Sequence, residues 1–273
     1  MPKPLSSLFS REKPQTLSFE EYYRKWFKTL KKTHLPLIQR ALSSSSSHTL
    51  LYSHIDLVLQ HFLAYYDTLD LATSKENLPH LLFPSWRNSL EIPFLFLGDL
   101  HPYLFINLLR SFLDQENRQE TEEEEEKNTC RVVVVGLDRP WQVVMAWKNV
   151  SKHLMNHIDQ IECGLRLMVP ALTGRIKKIQ GGFLGRIAED WVDDSDGKRE
   201  RIKKAMEEEM EEMVSVFMDA NRLRKSVITE IISGLSVYQA ALFLESLAQF
   251  LVGLREQEVL GEFKRCNIPI RDK

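Results

Sequence analysis

The chain has 273 residues, 43% of them hydrophobic and 27% charged, with a formal net charge of −2. That composition is close to globular averages and excludes a disordered polypeptide. A chain of this size can fold as one large domain burying roughly 75% of its unfolded surface, and the near-neutral balance gives no global reason to expect nucleic acid as partner. Glycine is scarce, 11 in 273, against a usual share near ~7%, which favours long helices over turn-rich β structure.

In chain order, Met1 to Lys13 has no apolar signal-peptide core, and Met-Pro at the start is not a myristoylation signal. The first helix is expected from Ser18, where Ser18 and Glu21 form a capping box. Phe19, Tyr23, Trp26, Phe27, Leu30, Leu37 and Ile38 then recur near the 3.6-residue period. Pro36 should kink or divide this helix, and Ser43 to Ser47 reads as a linker. Leu51, Ile55, Val58, Phe62, Tyr65 and Leu69 alternate steps of four and three, which predicts a second helix ending before Pro79. Two shorter helices are expected at Ser85 to Leu97 and Pro102 to Asp114, separated by Gly98 and the His101-Pro102 pair.

Gln115 to Asn128 is acidic and reads as a mobile, exposed loop, because like charges at that density repel. Arg131 to Asp138 holds four consecutive valines, the one convincing β signal, read as an extended connector. Helices are then expected at Trp141 to Met168, broken or kinked at Pro170, at Leu172 to Trp191, at Lys198 to Asn221 and at Arg222 to Ser233. Ser236 and Gln239 make a second capping box, opening a last helix to about Gln257, and the tail from Leu260 shows no core pattern. The fold class is therefore all-α: a bundle of about seven to nine helices over residues 18–257, between an N-terminal tail (1–17) and a C-terminal one (258–273), with an exposed acidic insert at 115–128.

No pattern nominates a catalytic residue, so the chain is expected not to be an enzyme. His153 and His157 lie one helical turn apart and would be the ligands of a metal or haem, but the glutamate that follows the first histidine in zinc proteases is absent and no third ligand is identifiable. No metal and no cofactor is expected. Cys130, Cys163 and Cys266 lack ligand spacing and read as reduced thiols. No run approaches the ~20 apolar residues of a membrane span, so the expected location is the cytoplasm, with peripheral membrane contact at most. Arg166, Arg175, Lys177, Lys178 and Arg186 form a basic face, read as the outer side of a core helix in preference to a membrane-binding one. Glu122, Glu123, Glu124, Glu125 and Glu126 are candidates for docking a basic partner, although a solvating spacer is the blander reading.

Several segments resemble the plant Delay-of-Germination (DOG) domain. Tyr65-Tyr66 match its tandem tyrosine; Phe83-Pro84-Ser85-Trp86 with Ser89-Leu90-Glu91 match its F-x-P-x-W…S-x-L-E element; Phe94 to Gly98, then Pro102, match the apolar stretch that follows. Ala220-Asn221-Arg222-Leu223-Arg224 resembles A-D-x-L-R, with Asn221 in place of the acid, and Gln239-Ala240-Ala241 with Phe243-Leu244, then Leu254-Arg255, resemble the last helix. Only 18 residues precede the first domain helix, with no basic region and no heptads, so direct DNA binding is not expected. Pro84 to Glu91 with Phe94 to His101 looks most like the Inaperturate Pollen branch.

That resemblance implies a non-enzymatic scaffold or adaptor for pollen aperture formation, marking plasma-membrane domains where exine is withheld. It implies companion aperture factors and a membrane-associated protein kinase as partners. A sensor of haem or an acyl chain, and a nuclear co-regulator like the seed-dormancy branch, are the rival classes. Trp86 is expected as an aromatic anchor between helices, and Glu91 as an acid paired with Arg87 or Arg224.

Overall fold

The computed structural model describes residues 18–44, 48–122, 139–148, 150–192 and 198–265. Helix α1 (Phe19–Thr29) opens on the expected capping box: the Glu21 amide donates to Ser18 Oγ (3.3 Å) and the Ser18 amide donates to Glu21 Oε2 (3.0 Å). One π-helical turn, Leu30–His34, joins it to α2 (Leu35–Ser43). That turn is how the chain accommodates Pro36: a widened turn relieves the ring's crowding of the preceding carbonyls, and proline near a helix start loses no bond. Helix α3 (His48–Leu71) buries Leu51, Ile55, Val58, Phe62, Tyr65, Tyr66 and Leu69, the predicted stripe, but stops well before Pro79.

The next thirty residues depart from expectation. A short α4 (Leu78–Leu82) precedes Pro84; Ser85 to Leu97 is not a helix but a run of turns, a 3₁₀ turn at Ile92–Phe94, and a strand. Strands β1 (Leu95–Phe96) and β2 (Asp99–Leu100) pair antiparallel, Leu95 with Leu100 and Phe96 with Asp99. Local chemistry outweighs the helical pattern here. Asn88 Oδ1 accepts from the amides of Leu90 (2.8 Å) and Glu91 (3.1 Å), offering the backbone an alternative to helix bonds. Leu97 (φ 49°) and Gly98 (φ 75°) then supply the two positive φ angles of a two-residue hairpin turn. A Cβ on Gly98 would overlap the carbonyl oxygen of Leu81, so glycine is required there twice over.

Helix α5 (Pro102–Glu122) continues through residues read as acidic loop, so Glu122 ends a helix. Glu123 to Glu126, the valine run at Arg131 to Asp138, Ser45 to Ser47, Cys130, Cys266 and the end of the tail lie outside the described residues. Where one helix from Trp141 was expected, a four-residue α6 (Trp141–Val144) and a turn precede α7 (Lys152–Val192). That helix runs unbroken through Pro170, because Leu165 on one side of the proline and Leu172 on the other are both buried in the bundle. Packing outweighs the one lost backbone bond. Likewise α8 (Lys198–Gly234) is a single helix across the expected break at Asn221, which is itself fully buried.

Helix α9 (Val237–Gly253) starts at the second capping box and is the centre of the bundle, packed on α2, α3, α5 and α6. Contrary to the expectation that no run approaches a membrane span, the chain over Val237–Gly261 is long and apolar enough to cross one by length and composition, because Ala and Leu crowd this core helix. Ala240, Ala241, Phe243, Leu244, Leu247, Ala248 and Leu251 are all buried against the rest of the fold, as in a core helix. A further helix, α10 (Gln257–Arg265), buries Leu260, although the sequence from Leu260 onward shows no core pattern.

Helices α7 and α8 pair along their length, at ~1.5 Å per residue roughly 60 and 55 Å. Leu154, Ile158 and Leu165 of α7 and Val227, Ile228 and Ile231 of α8 lie in the main core, Leu172, Ile179, Val216 and Ala220 form a second small cluster, and ion pairs add to these apolar contacts. Arg175 meets Glu212 (2.7 Å) and Asp219 (2.5 Å), Arg186 meets Glu208 (2.8 Å) and Glu209, and Arg166 pairs with Glu162 (3.1 Å). Three of the five cations of the basic face are thus engaged within the molecule; Lys177 and Lys178 are exposed.

Candidate functional site, a buried charged centre

The segments that carry the sequence motifs converge on one buried cluster of charge. From α3 come Tyr65 and Tyr66, from α1 Tyr23, from the turns and hairpin Arg87, Glu91 and Asp99, from α8 Arg224, and from the turn after α9 Arg255. Arg87 is the hub. Its Nη1 donates to Glu91 Oε1 (2.9 Å) and to the Tyr23 hydroxyl (3.1 Å), and its Nη2 donates to Asp99 Oδ2 (2.8 Å) and the Tyr65 hydroxyl (3.3 Å). Asp99, 2% exposed, also accepts from both tandem tyrosines and from the Leu100 amide (2.7 Å).

Glu91 is fully buried and pairs with Arg87 as expected, but its second cation is Arg255 (2.8 Å), not Arg224. Arg224 is directed to backbone instead: its Nε donates to the Leu100 carbonyl (2.7 Å), Nη2 to the carbonyls of Phe96 and Asp99, and Nη1 to Asn221 Oδ1 (2.7 Å). Asn221 in turn donates to Asp70 (2.8 Å). A neutral amide therefore does here what a carboxylate cannot, accepting from an arginine and donating to an aspartate with one side chain.

Burial works against the charge on Asp99, yet the Arg87 and Arg224 guanidiniums and the Tyr65 and Leu100 hydrogen bonds hold its carboxyl below the usual range. Burial opposes the charge on Arg87 too, and its carboxylate partners keep it firmly protonated. Burial, together with Asp99, pushes the Tyr65 and Tyr66 hydroxyls well above their ordinary value, and burial takes Tyr23 up to about 12. The tyrosines are donors locked in the neutral state. Such a centre orders five separate stretches of chain around one point.

The remaining motif residues are structural as well. Trp86 packs on Phe19 (centroids 5.2 Å apart) and Tyr23 (6.3 Å) of α1, and its carbonyl accepts from Arg255. Pro84 and Leu90 are half-buried around it. Pro102 is buried at the first position of α5, Leu223 bridges the two apolar clusters, and Ala240 and Ala241 are core. Gln239 closes the α9 cap and donates to the Ala146 carbonyl (2.9 Å). The two histidines do not converge on a ligand: His153 is exposed, while His157 Nε2 lies 2.9 Å from the Glu230 carbonyl of α8. Among the described residues no three His, Cys, Asp or Glu side chains are grouped for a metal.

Sequence reasoning missed Tyr23, Asp99 and Arg255 as partners. An aspartate directly after a hairpin glycine, and a basic residue ending a highly apolar helix, were the available signals. It also missed Glu245, 2% exposed on α9, which Arg139 clamps with two bonds (2.7 and 3.0 Å).

The family model described as seed dormancy control (DOG1) matches residues 34–111, which takes in Tyr65, Tyr66, Arg87, Glu91, Gly98 and Asp99. The chain is 49% identical over 275 residues to Protein INAPERTURATE POLLEN1 of Arabidopsis thaliana, covering 96% of this chain and 98% of that protein. The chain belongs to the Inaperturate Pollen family. A rice relative, the INAPERTURATE POLLEN 1 homolog of Oryza sativa subsp. japonica, is 31% identical over 252 residues, 90% of this chain and 88% of that one. These Inaperturate Pollen relatives are matched along nearly the whole chain, so α7 to α10, beyond the dormancy model's reach, belong to the shared architecture.

Proposed function

We propose that the chain is a non-catalytic scaffold in pollen aperture formation, recruited through protein partners to plasma-membrane domains where exine is withheld. The observation that carries this reading is the near-full-length identity to the Arabidopsis Inaperturate Pollen protein. The chemistry of the charged centre supports it. Arg87, Glu91, Asp99 and Arg224 are spent on one another, on tyrosines and on backbone, which is what a rigid framework needs and leaves no acid–base pair poised for substrate. In this reading companion aperture factors and a membrane-associated kinase dock on the outer helix faces, and the chain resides in the cytoplasm when not recruited.

Expression of a fluorescently tagged copy in Arabidopsis pollen lacking the endogenous relative is the test. Restored apertures, with tagged protein in discrete surface patches at tetrad stage, is the expected result. Uniform nuclear signal without apertures would discard the scaffold reading in favour of the dormancy-like one.

A further inference from the structure

Helix α1 and the π-helical turn after it carry Arg24, Lys25, Lys28, Lys31 and Lys32, five cations within nine residues. Steps of three and four put Lys25, Lys28 and Lys32 on one side of the helix. All three are exposed, while Tyr23, Trp26 and Leu30 are buried on the other side. Elsewhere arginine is matched to acid, as Arg110, Arg139, Arg175 and Arg186 are. Here Arg24 and Lys31 make only loose pairs, 3.7 Å from Glu20 and 3.7 Å from Glu256. Lys25, Lys28 and Lys32 make no ion pair among the described residues, and Glu21 is spent on the α1 cap. The net charge is −2, with acid gathered in runs such as Glu207 to Glu212 of α8. A nearly neutral molecule therefore has one positive side.

We propose that this face binds anionic lipid headgroups directly, laying α1 flat against a negatively charged bilayer. The face is the convex back of one helix, and the larger surface pockets are lined by other residues, so it offers no cleft to a peptide or a base. Four of the five cations are lysine. A hydrated point charge suits a diffuse plane of negative charge, whereas arginine's bidentate fork suits the reading of individual phosphates and bases. Lys25 and Lys32 lie roughly 10 Å apart along the helix axis, and at a Debye length of about 8 Å the fields of the cations between them add. The apolar side of α1 is committed to the core, so nothing inserts, and the attachment is electrostatic and reversible. It adds a lipid contact to partner-mediated recruitment and does not depend on it.

The full-length chain is sedimented with vesicles of phosphatidylcholine alone or of an equimolar mixture of phosphatidylcholine and phosphatidylserine. Binding to the mixed vesicles only is expected, with release at about 1 M salt, where the Debye length falls to about 3 Å. Lys25→Gln, Lys28→Gln and Lys32→Gln together should weaken that binding on the order of a hundred-fold, about five-fold per lysine, with circular dichroism unchanged. Lys177→Gln, Lys178→Gln and Lys204→Gln together remove the same charge from exposed positions on α7 and α8 and should leave most of the affinity in place. Equal binding to both vesicle types, no binding to either, persistence at high salt, or equal loss in the two triple variants each overturns the proposal. Retention on random duplex DNA at a salt concentration that releases the vesicles would overturn it too, reassigning the face to nucleic acid. The lipid and salt comparisons use the unaltered chain and decide even if a variant does not fold.

Discussion

The tandem tyrosines show how much a single position can be asked to do. Tyr65 and Tyr66 face a core, yet their hydroxyls end on one aspartate that also neutralises Arg87. Removing one member of a buried pair strands the other, at a cost of ~3–5 kcal/mol, whereas a partly exposed pair is worth under ~1 kcal/mol. Asp99→Ala should therefore lower urea stability by about 3–5 kcal/mol, and Lys225→Ala, which loses the rim pairs to Asp67 and Asp70, by under ~1 kcal/mol. Equal effects would mean that the charged centre is not the keystone of the fold. Histidine chemistry sets a second residue-scale prediction. His61 stacks on Trp26 (5.0 Å) beside His34 (4.4 Å). Burial, with the neighbouring His34, lowers its pKa from 6.5 to about 4; burial lowers His34 too. Both bind protons more readily unfolded than folded, so their contribution is intact above about pH 6.5 and is lost as pH falls toward 4. The melting temperature should decline across that window, and His61→Gln should flatten the decline. Asp99, held low, keeps its contribution until the pH falls further. A parallel decline in His61→Gln would assign the acid sensitivity elsewhere.

At the scale of elements, the departures share a cause: the partner surface decided where a helix stops. Pro170 was expected to break α7, and Asn221 marked a boundary in α8, but each sits in a helix whose apolar face is buried on both sides of it. The hairpin is the reverse case, a stretch with helix-like spacing in which Asn88, Pro93 and Gly98 hold the chain in turns. Where α7 crosses α8 the fit is close enough to test. A Cβ on Gly234 would collide with the His157 imidazole, which is itself held by the Glu230 carbonyl. Gly234→Ala should cost roughly 1–3 kcal/mol through overpacking, and most of that should vanish in a His157→Ala background, read as a double-mutant cycle. Simple additivity of the two changes would show that the helices separate freely at this point.

Across the whole molecule stability is uneven. Helix α9 is buried over most of its length, and the charged centre pins α1, α3, the hairpin and α8 beside it. Among the described residues, the far end of the α7–α8 pair buries little beyond Ile179 and Ala205 and is held by partly exposed ion pairs. Amide hydrogen exchange should follow that gradient: slowest in Ala240 to Leu251, near the global unfolding limit, and fastest among the long helices in residues 180–188 and 200–210. Uniform protection along α7 and α8 would contradict it.

The fold class was legible in the chain itself, because helical periodicity and capping boxes are local: the α3 stripe, the Ser18 and Ser236 caps and the apolar α9 are where the spacing put them. The motif blocks were legible too, as residues without a stated job. What they do was decided only in three dimensions. Arg87 and Asp99 are twelve residues apart, Glu91 and Arg255 are 164 apart, and Arg224 reaches carbonyls on a hairpin 128 residues upstream. Pairing over such separations is set by which surfaces meet when the apolar stripes are buried. The same burial makes an unmatched charge costly enough that each one must find its partner.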